Sequence, residues 1–262
     1  MRSETKRVRI LRMNRAESQK TTDIVVQEFP LTIVLNDVEL VSLLCSPKNL
    51  DFLAMGFLFS EGLISSRREV SGIHVDKERG VLWVETTHKR KIPQGFAFRR
   101  LITTGCGKSL SLVNRSEKGA IRKVESDLTI PSGNIYSLMS KFQRRSELYK
   151  LTGGVHSAAI CDRNRIVAFN EDIGRHNAID KVIGECLMKG MALRSRILIT
   201  SGRVSSEISI KVARSGIPVI VSKSAPTSLG VQLANELGIT LIGFARGLRM
   251  NIYSNSSRII SE

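Results

Sequence analysis

The sequence predicts an α/β fold with two parts, a small α+β domain over residues 1–100 and a larger α/β domain over residues 101–262. Two hairpin patterns surround one helix pattern in the first hundred residues. From Arg196 onward, strand-like and helix-like apolar patterns alternate regularly. Between these regions, the charge and the Pro and Gly residues of segment 88–95 interrupt the apolar pattern, which predicts a linker there.

The first part starts with a basic leader, after which residues 24–29 and 31–44 have the composition of strands. Turn-prone Asn36-Asp37 breaks the second run and predicts a hairpin. After Pro47, one helix face carries Leu50, Leu53, Ala54 and Phe57, and the helix pattern ends near Gly62. Residues 72–76 and 81–87 predict a second hairpin.

The second part starts with a helix pattern whose apolar face includes Ile135 and Phe142, and Gly153-Gly154 is expected to end that helix. A short strand over 155–161 follows, then a strand beside it and a helix from about Asn177. The remaining elements are predicted as strand 197–200, helix 205–214, strand 218–221, helix 226–237 and strand 240–244. Near-continuous apolar strands between amphipathic helices are typical of parallel strands covered by helices.

The formal net charge of +16 is the one unusual bulk property. Such a surface attracts nucleic acid, acidic membranes, phosphorylated ligands or acidic proteins. Aromatic residues make up only 5%, and no nucleic-acid-binding motif is present, so we expect no nucleic acid as partner. We also expect no membrane partner and a cytoplasmic location, because the sequence shows neither a signal peptide nor a transmembrane run. Four widely spaced cysteines suit a reducing compartment.

Polar loops follow three of the predicted parallel strands, where α/β proteins bind ligands. Ser201-Gly202 with Arg203 follows the first, residues 222–227 follow the second, and two arginines around a glycine end the third. Free backbone N–H groups at such strand-to-helix turns hold phosphate. Each loop is alternatively an ordinary helix cap with solvated arginines. Three loops on one sheet edge favour an anionic ligand.

Cys106 differs from the other three cysteines, which lie in apolar patterns typical of core residues. It is flanked by glycines in TTGCGKS, and Lys108 favours the thiolate that acts as a nucleophile. A structural cysteine in a turn is the alternative. The segment is not a phosphate-binding loop, because Ile102 stands where that motif needs glycine.

Two polar segments, TGGVHS at 152–157 and NEDIGRHN at 170–177, lie between apolar elements. The second can form an anion or sugar site, or an N-terminal cap favoured by the helix dipole. His156 is either a core histidine or a ligand contact. No cysteines lie two to four residues apart, and the zinc deaminase signature is absent.

Four stretches in family order resemble the FdhD family of formate dehydrogenase accessory sulfurtransferases. They are TGGVHSA at 152–158, EDIGRHNAIDK at 171–181, SGRVSSE at 201–207 and FARGLR at 244–249. The resemblance runs from about Thr103 to Tyr253 and is looser in the first hundred residues. It implies a homodimer whose larger domain has a cytidine-deaminase-like fold without the deaminase metal site.

The resemblance also implies a sulfurtransferase reaction. Sulfur from a cysteine desulfurase would be carried as a persulfide on Cys106 and passed to the bis-molybdopterin guanine dinucleotide cofactor (Mo-bis-MGD) destined for formate dehydrogenase. A guanine nucleotide is expected to mimic that cofactor. By position, the family's cofactor-binding stretch is Phe244, Ala245, Arg246, Gly247, Leu248 and Arg249. We extend the expected cofactor site to Gly153, Gly154, His156, Asp172, Arg175, His176, Ser201 and Gly202, and expect no metal ligands.

One position departs from the family pattern, because Ser109 stands where many members have a second cysteine. A single thiolate still suffices to accept and hold sulfur. Three alternatives remain open at this point: a chaperone that binds and delivers the cofactor without sulfur chemistry, a basic nucleic-acid-binding module, and a zinc-dependent deaminase.

Overall fold

A computed structural model describes residues 3–15, 17–88, 99–102 and 121–261 of the chain. Cys106 and the other residues of TTGCGKS therefore lie outside the described residues, as does most of the predicted linker. Within the described ranges, no helix is both long enough and apolar enough to cross a membrane.

The amino-terminal residues form a two-stranded hairpin where the sequence predicted a basic leader followed by a strand over 24–29. Strand β1 is Thr5–Met13 and strand β2 is Ser18–Val26, paired antiparallel from Thr5 opposite Val26 to Met13 opposite Ser18. Charged residues interrupt the apolar positions, so the strand pattern is weak in the sequence. β-branched residues at many positions nevertheless favour extended backbone.

The first large sheet has five strands in the order β5-β6-β3-β4-β7. Its strands are β3 Phe29–Leu35, β4 Val38–Cys45, β5 Val70–Asp76, β6 Val81–Thr86 and β7 Arg99–Ile102. Both predicted hairpins, β3–β4 and β5–β6, are confirmed. Asn36 and Asp37 form the β3–β4 turn with φ of 48° and 67°, left-handed values that Asn and Asp tolerate better than most residues.

Helix α1 spans Leu50–Ser60 and packs its predicted apolar face on this sheet. The chain then turns at Gly62, which has a φ of 79°. A short 3₁₀ helix, Arg67–Glu69, leads into β5.

The second large sheet has six strands in the order β10-β9-β11-β12-β13-β14. They are β9 His156–Cys161, β10 Ile166–Asp172, β11 Ile197–Thr200, β12 Val219–Ser222, β13 Thr240–Arg246 and β14 Arg249–Ser254. Of the neighbouring strand pairs in this sheet, only β11–β12 and β12–β13 are parallel, so the sheet is mixed rather than all parallel. The short strands β8, Ile130–Pro131, and β15, Ile259–Ile260, pair beside it.

Helices cover both faces of the six-stranded sheet, which confirms the mixed α/β class. The helices are α2 Ser132–Arg145, α3 Glu147–Thr152, α4 Arg175–Met188, α5 Ser206–Arg214 and α6 Ser228–Glu236. Helix α2 packs on one face, and α4, α5 and α6 contribute to the core on the other. The prediction of one helix up to Gly153 was wrong, because the chain leaves helical geometry at Ser146 and α3 is separate.

Helix α1 crosses helix α4 at two glycines and thereby joins the two sheets. A Cβ on Gly56 would lie 1.8 Å from the backbone oxygen of Asp180, and a Cβ on Gly184 would lie 1.9 Å from that of Phe52. The backbones of α1 and α4 are thus in direct contact, which only glycine permits. The domain boundary near residue 100 stays a prediction.

A buried ionic cluster lies where α1, α4 and α5 meet. The ammonium group of Lys211 lies 3.0 Å from a carboxylate oxygen of Glu61 and 3.1 Å from one of Asp180, and it donates to the hydroxyl of Ser60 at 2.7 Å. The charges of Asp180 and Glu61 raise the pKa of Lys211 despite its burial. The cluster therefore satisfies buried charges while fixing the three helices together.

Candidate functional site

The three polar loops predicted from the sequence lie together at one edge of the six-stranded sheet, here called the carboxyl edge. Parallel strands β11, β12 and β13 end there. Val204 N–H donates to the carbonyl of Ala225 at 3.2 Å, and Thr227 N–H donates to the carbonyl of Val204 at 2.9 Å. Phe244 N–H donates to the carbonyl of Ser224 at 3.1 Å. These hydrogen bonds join the three loops into one surface, as expected from the sheet rule.

The helix-cap alternative holds for one loop and fails for another. Thr227 caps α6, because its hydroxyl accepts a hydrogen bond from Gly230 N–H at 3.1 Å. Ser205 occupies the same position before α5, yet its hydroxyl makes no capping bond. The β11–α5 loop therefore leaves a polar group at a helix N-terminus available for a different partner.

Four expected site residues from distant parts of the chain meet beside the β11–α5 loop. The hydroxyl of Ser201 lies 3.3 Å from Nδ1 of His156 and accepts a hydrogen bond from Ser157 N–H at 3.0 Å. Gly202 packs against Arg175 so closely that a Cβ would lie 2.8 Å from the Cβ of that arginine. Strands β9 and β11 and helix α4 thus bring His156, Arg175, Ser201 and Gly202 together.

Positive charge is concentrated at this meeting point. Burial lowers the pKa of His156, and the charges of Arg175, His176 and Arg203 lower it further, against a smaller opposing effect of Asp172. Burial and the nearby Arg203 likewise lower the pKa of Arg175. Cations held together against their mutual repulsion are stabilised by a bound anion.

Three buried polar atoms in this cluster lack a hydrogen-bond partner among the described residues: Nε of Arg175, Nε2 of His176 and Oγ of Ser205. The His176 nitrogen lies 3.0 Å from a carboxylate oxygen of Glu207, but without hydrogen-bond geometry. Within the described part of the chain, Nε of Arg175 and Oγ of Ser205 have no such neighbour, and buried polar groups without a partner are costly and are expected where a ligand completes the bonding. The arrangement can therefore bind a phosphate or another oxyanion.

The FARGLR stretch forms the far end of the carboxyl edge. It is the turn between β13 and β14, with Gly247 at a φ of 55°. Phe244 has a φ of 51°, a strained value for an aromatic residue. Ala245 is buried, whereas Arg246 and Arg249 are exposed and Leu248 is 85% exposed. Exposed cations and strained backbone fit a binding loop.

Asp172 is placed differently from a residue that contacts a ligand. Its carboxylate is fully buried and accepts hydrogen bonds from Ser46 N–H at 3.0 Å, Gly174 N–H at 2.9 Å and the side chain of Asn177 at 2.9 Å. Lys181 lies 2.6 Å away as its ion-pair partner. These contacts make Asp172 an anchor that fixes the start of α4 to the end of β4.

Gly153 and Gly154 end helix α3 near the carboxyl edge, and both are exposed. Gly153 adopts the left-handed conformation with a φ of 66°, which is common after a helix. A Cβ on Gly154 would lie 2.9 Å from the side chain of Val26 in β2. The glycine pair thus lets the chain pass between the amino-terminal hairpin and His156.

The sequence did not single out Ser205 and Glu207 as site residues. Both follow Ser201-Gly202 within the SGRVSSE stretch, but residues before a helix are usually caps, and a glutamate in the first turn usually serves the helix dipole. Only the missing capping bond of Ser205 and the closeness of Glu207 to His176 distinguish them. Neither signal exists in the sequence.

A profile of the FdhD/NarQ family matches residues 26–260. The chain belongs to the FdhD/NarQ family. A relative from Bacillus subtilis (strain 168), named "Sulfur carrier protein FdhD", is 38% identical over 250 residues, which are 95% of each chain. One of the same name from Staphylococcus aureus (strain Newman) is 42% identical over 97% of this chain and 96% of the relative.

The fold agrees with this membership of the FdhD/NarQ family. A crystal structure described as that of a proposed formate dehydrogenase accessory protein from Desulfotalea psychrophila superposes with a TM-score of 0.82. It is 29% identical and covers 98% of this chain and 100% of its own. The likeness to cytidine deaminases stays a prediction.

Proposed function

We propose that this chain is a sulfur carrier that accepts persulfide sulfur on Cys106 and transfers it to Mo-bis-MGD held at the carboxyl edge, for use by formate dehydrogenase. The names of the relatives support the sulfur-carrier role and the link to formate dehydrogenase. One structural observation carries the finer proposal: strand β7, which precedes Cys106, ends beside the part of the carboxyl edge that contains Arg175 and Arg203.

The position of β7 follows from its pairing with β4. The two strands are parallel, with Ile102 opposite Leu43. Just beyond Leu43, the carbonyl of Leu44 accepts a hydrogen bond from the side chain of Asn177, in the first turns of α4. Cys106 follows Ile102 by four residues, which span at most about 14 Å when extended. The end of β7 thus lies near the first turn of α4, which contains Arg175, and only four residues of sequence separate Cys106 from that strand end.

The first sulfur transfer needs only one cysteine of this chain. The thiolate of Cys106 attacks the outer sulfur of the desulfurase persulfide, a new S–S bond forms, and the old S–S bond breaks to release the desulfurase thiolate. No oxidant or reductant is consumed. The presence of Ser109 in place of a second cysteine therefore does not prevent loading.

The carboxyl edge supplies groups that fit the phosphates of a guanine dinucleotide. Arg175, Arg203 and the hydroxyl of Ser205 would hold phosphate oxygens, because they are cationic or lack a partner among the described residues. Arg246 and Arg249 would hold the rest of the cofactor from the opposite end. A desulfurase as donor, a cytoplasmic location and a homodimer belong to the same proposal.

Mass spectrometry after incubation with a cysteine desulfurase and cysteine tests the carrier role. We expect one added sulfur on the peptide that contains Cys106, removable by a thiol reductant. Cys45, Cys161 and Cys186 serve as internal controls, because they are fully buried. Sulfur spread over these three cysteines, or none on Cys106, would contradict the proposal.

Arg175→Gln tests the nucleotide site. We expect GDP to bind at least about tenfold more weakly to the variant, because a charge-assisted hydrogen bond to phosphate is lost. Isothermal titration calorimetry measures the dissociation constant. Arg163→Gln, at an exposed position on the β9–β10 turn, removes the same charge elsewhere and should bind GDP as the wild type does. Equal affinity of the Arg175 variant and the wild type would count against this site.

A further inference from the structure

The amino-terminal hairpin β1–β2, called the arm from here on and comprising residues 5–26, has helix α3 packed beside β2 and is otherwise largely exposed among the described residues. None of the 18 residues in its two strands is buried, and the two strands form a sheet of their own. An isolated two-stranded hairpin is only marginally stable in water. Its regular nine-pair register, together with the exposure of most of its residues, suits a surface that another molecule covers.

The chemistry of the arm indicates the kind of molecule. The arm contains six Lys or Arg residues and two Asp or Glu residues. Residues opposite each other share a face, so one face carries Arg7, Arg9, Leu11, Met13 and Lys20. Leu11 is 56% exposed and Met13 is 71% exposed. This face combines cations with large apolar side chains, which is typical of a protein-binding surface that prefers an acidic partner.

Exposed apolar residues continue from the arm onto helix α3, which packs beside β2. Tyr149 and Leu151 of α3 are 47% and 52% exposed. Five of the ten exposed large apolar side chains among the described residues lie on the arm or on α3: Leu11, Met13, Tyr149 and Leu151, with Val25 on the opposite face of the arm. This concentration enlarges the contact area beyond the hairpin itself.

The arm is attached next to the carboxyl edge. Its last residue, Val26, contacts Gly154, two residues before His156. A protein bound to the arm is therefore held beside His156, Arg175 and Arg203, where the cofactor is proposed to bind. The protein that must approach this place is the one that receives the cofactor.

We propose that the arm, with the adjoining face of α3, binds an acidic and partly apolar surface of apo-formate dehydrogenase and positions it to receive the cofactor. The identity of this partner rests on the proposed function. A second copy of this chain is disfavoured as occupant of the arm, because its net charge of +16 adds to that of the basic arm, so the proposed homodimer would use a different surface. Nucleic acid is disfavoured because it offers nothing to cover Leu11 and Met13.

Two variants of the arm test the proposal with purified apo-formate dehydrogenase from the same organism. Arg7→Glu/Arg9→Glu reverses two exposed charges, and Leu11→Ser/Met13→Ser removes the exposed apolar groups. The control, Lys77→Glu/Arg163→Glu, reverses two exposed charges at distant turns. We expect each arm variant to bind at least about tenfold more weakly by biolayer interferometry, and the control to bind within about twofold of the wild type. The wild-type affinity should fall with added salt, and that of the charge-reversed variant should fall less.

Four further measurements distinguish the outcomes. Unchanged affinity in both arm variants overturns the proposal. Light scattering that shows a loss of dimers in the arm variants would overturn it in favour of a second copy. Loss of duplex DNA binding, with the affinity for apo-formate dehydrogenase unchanged, would overturn it in favour of nucleic acid. Sulfur loading on Cys106 and GDP binding should stay at wild-type levels in both variants. If the wild type itself lacks both of these properties, the proposed function fails, whatever the arm binds.

Discussion

Formate dehydrogenase produced beside a Cys106→Ala variant of this chain is expected to be almost inactive. The variant keeps the carboxyl edge and its cations, so it should still bind the cofactor, but it has no thiolate to accept sulfur. Loss of the only nucleophile of a transfer reaction lowers the rate by far more than a lost contact does, and we expect activity below about one per cent of the wild-type level. The activity is measured as formate oxidation in extracts of a strain whose own gene for this protein is deleted and that produces the variant instead.

Ser109→Ala is the matched control for that experiment, because it changes the same segment and keeps the thiol. It should support full activity. GDP binding by the Cys106→Ala variant should equal that of the wild type, which shows that the variant is folded. Full formate dehydrogenase activity beside Cys106→Ala would leave only the role of a cofactor-binding chaperone.

Gly184→Ala is expected to destabilise the whole chain. The added methyl group would lie 1.9 Å from the backbone oxygen of Phe52, so helices α1 and α4 must move apart. The movement loosens the apolar contacts of both helices and strains the ionic cluster around Lys211. Overpacking against backbone, which cannot rotate away, should cost about 3 kcal/mol or more in the free energy of unfolding. Urea unfolding followed by circular dichroism measures this energy.

Gly72→Ala provides the comparison, because it makes the same chemical change in strand β5. The nearest atom to its added Cβ is a carboxylate oxygen of Glu85 at 3.7 Å, an ordinary contact. We expect a change within about 1 kcal/mol, since alanine also restricts the unfolded chain. Equal stability of the two variants would mean that α1 and α4 do not touch at Gly184.

Most elements of the fold were predictable because their apolar patterns are regular. The β3–β4 turn at Asn36-Asp37 and the alternation after Arg196 are local signals, and both predictions are confirmed. The crossing of α1 and α4 was not predicted, although Gly56 and Gly184 interrupt helix patterns where alanine is the better helix former. A glycine inside a helix suggests close packing, but a single sequence does not say against which partner.

The candidate site was partly predictable for a similar reason. The predicted strand ends were enough to predict that the three polar loops lie together, because the carboxyl ends of parallel strands share one edge of a sheet. The position of Asp172 was not predictable, since a carboxylate before a helix can face a ligand or be buried. The ion pair between Asp172 and Lys181 shows that the carboxylate is buried. Lys181 lies nine residues after Asp172, and nothing in the sequence indicates that the two side chains touch.

The burial of Cys45, Cys161 and Cys186 has a practical consequence for spectroscopy. Burial raises the pKa of Cys161 and of Cys186 to about 12, and it raises that of Cys45 as well. Maleimides and methanethiosulfonates react with thiolates, so these three cysteines should react very slowly in the folded protein at neutral pH. A fluorophore or spin label can thus be directed to Cys106 without first deleting background cysteines, and its signal would report whether the surroundings of that residue change when GDP or a partner protein is added.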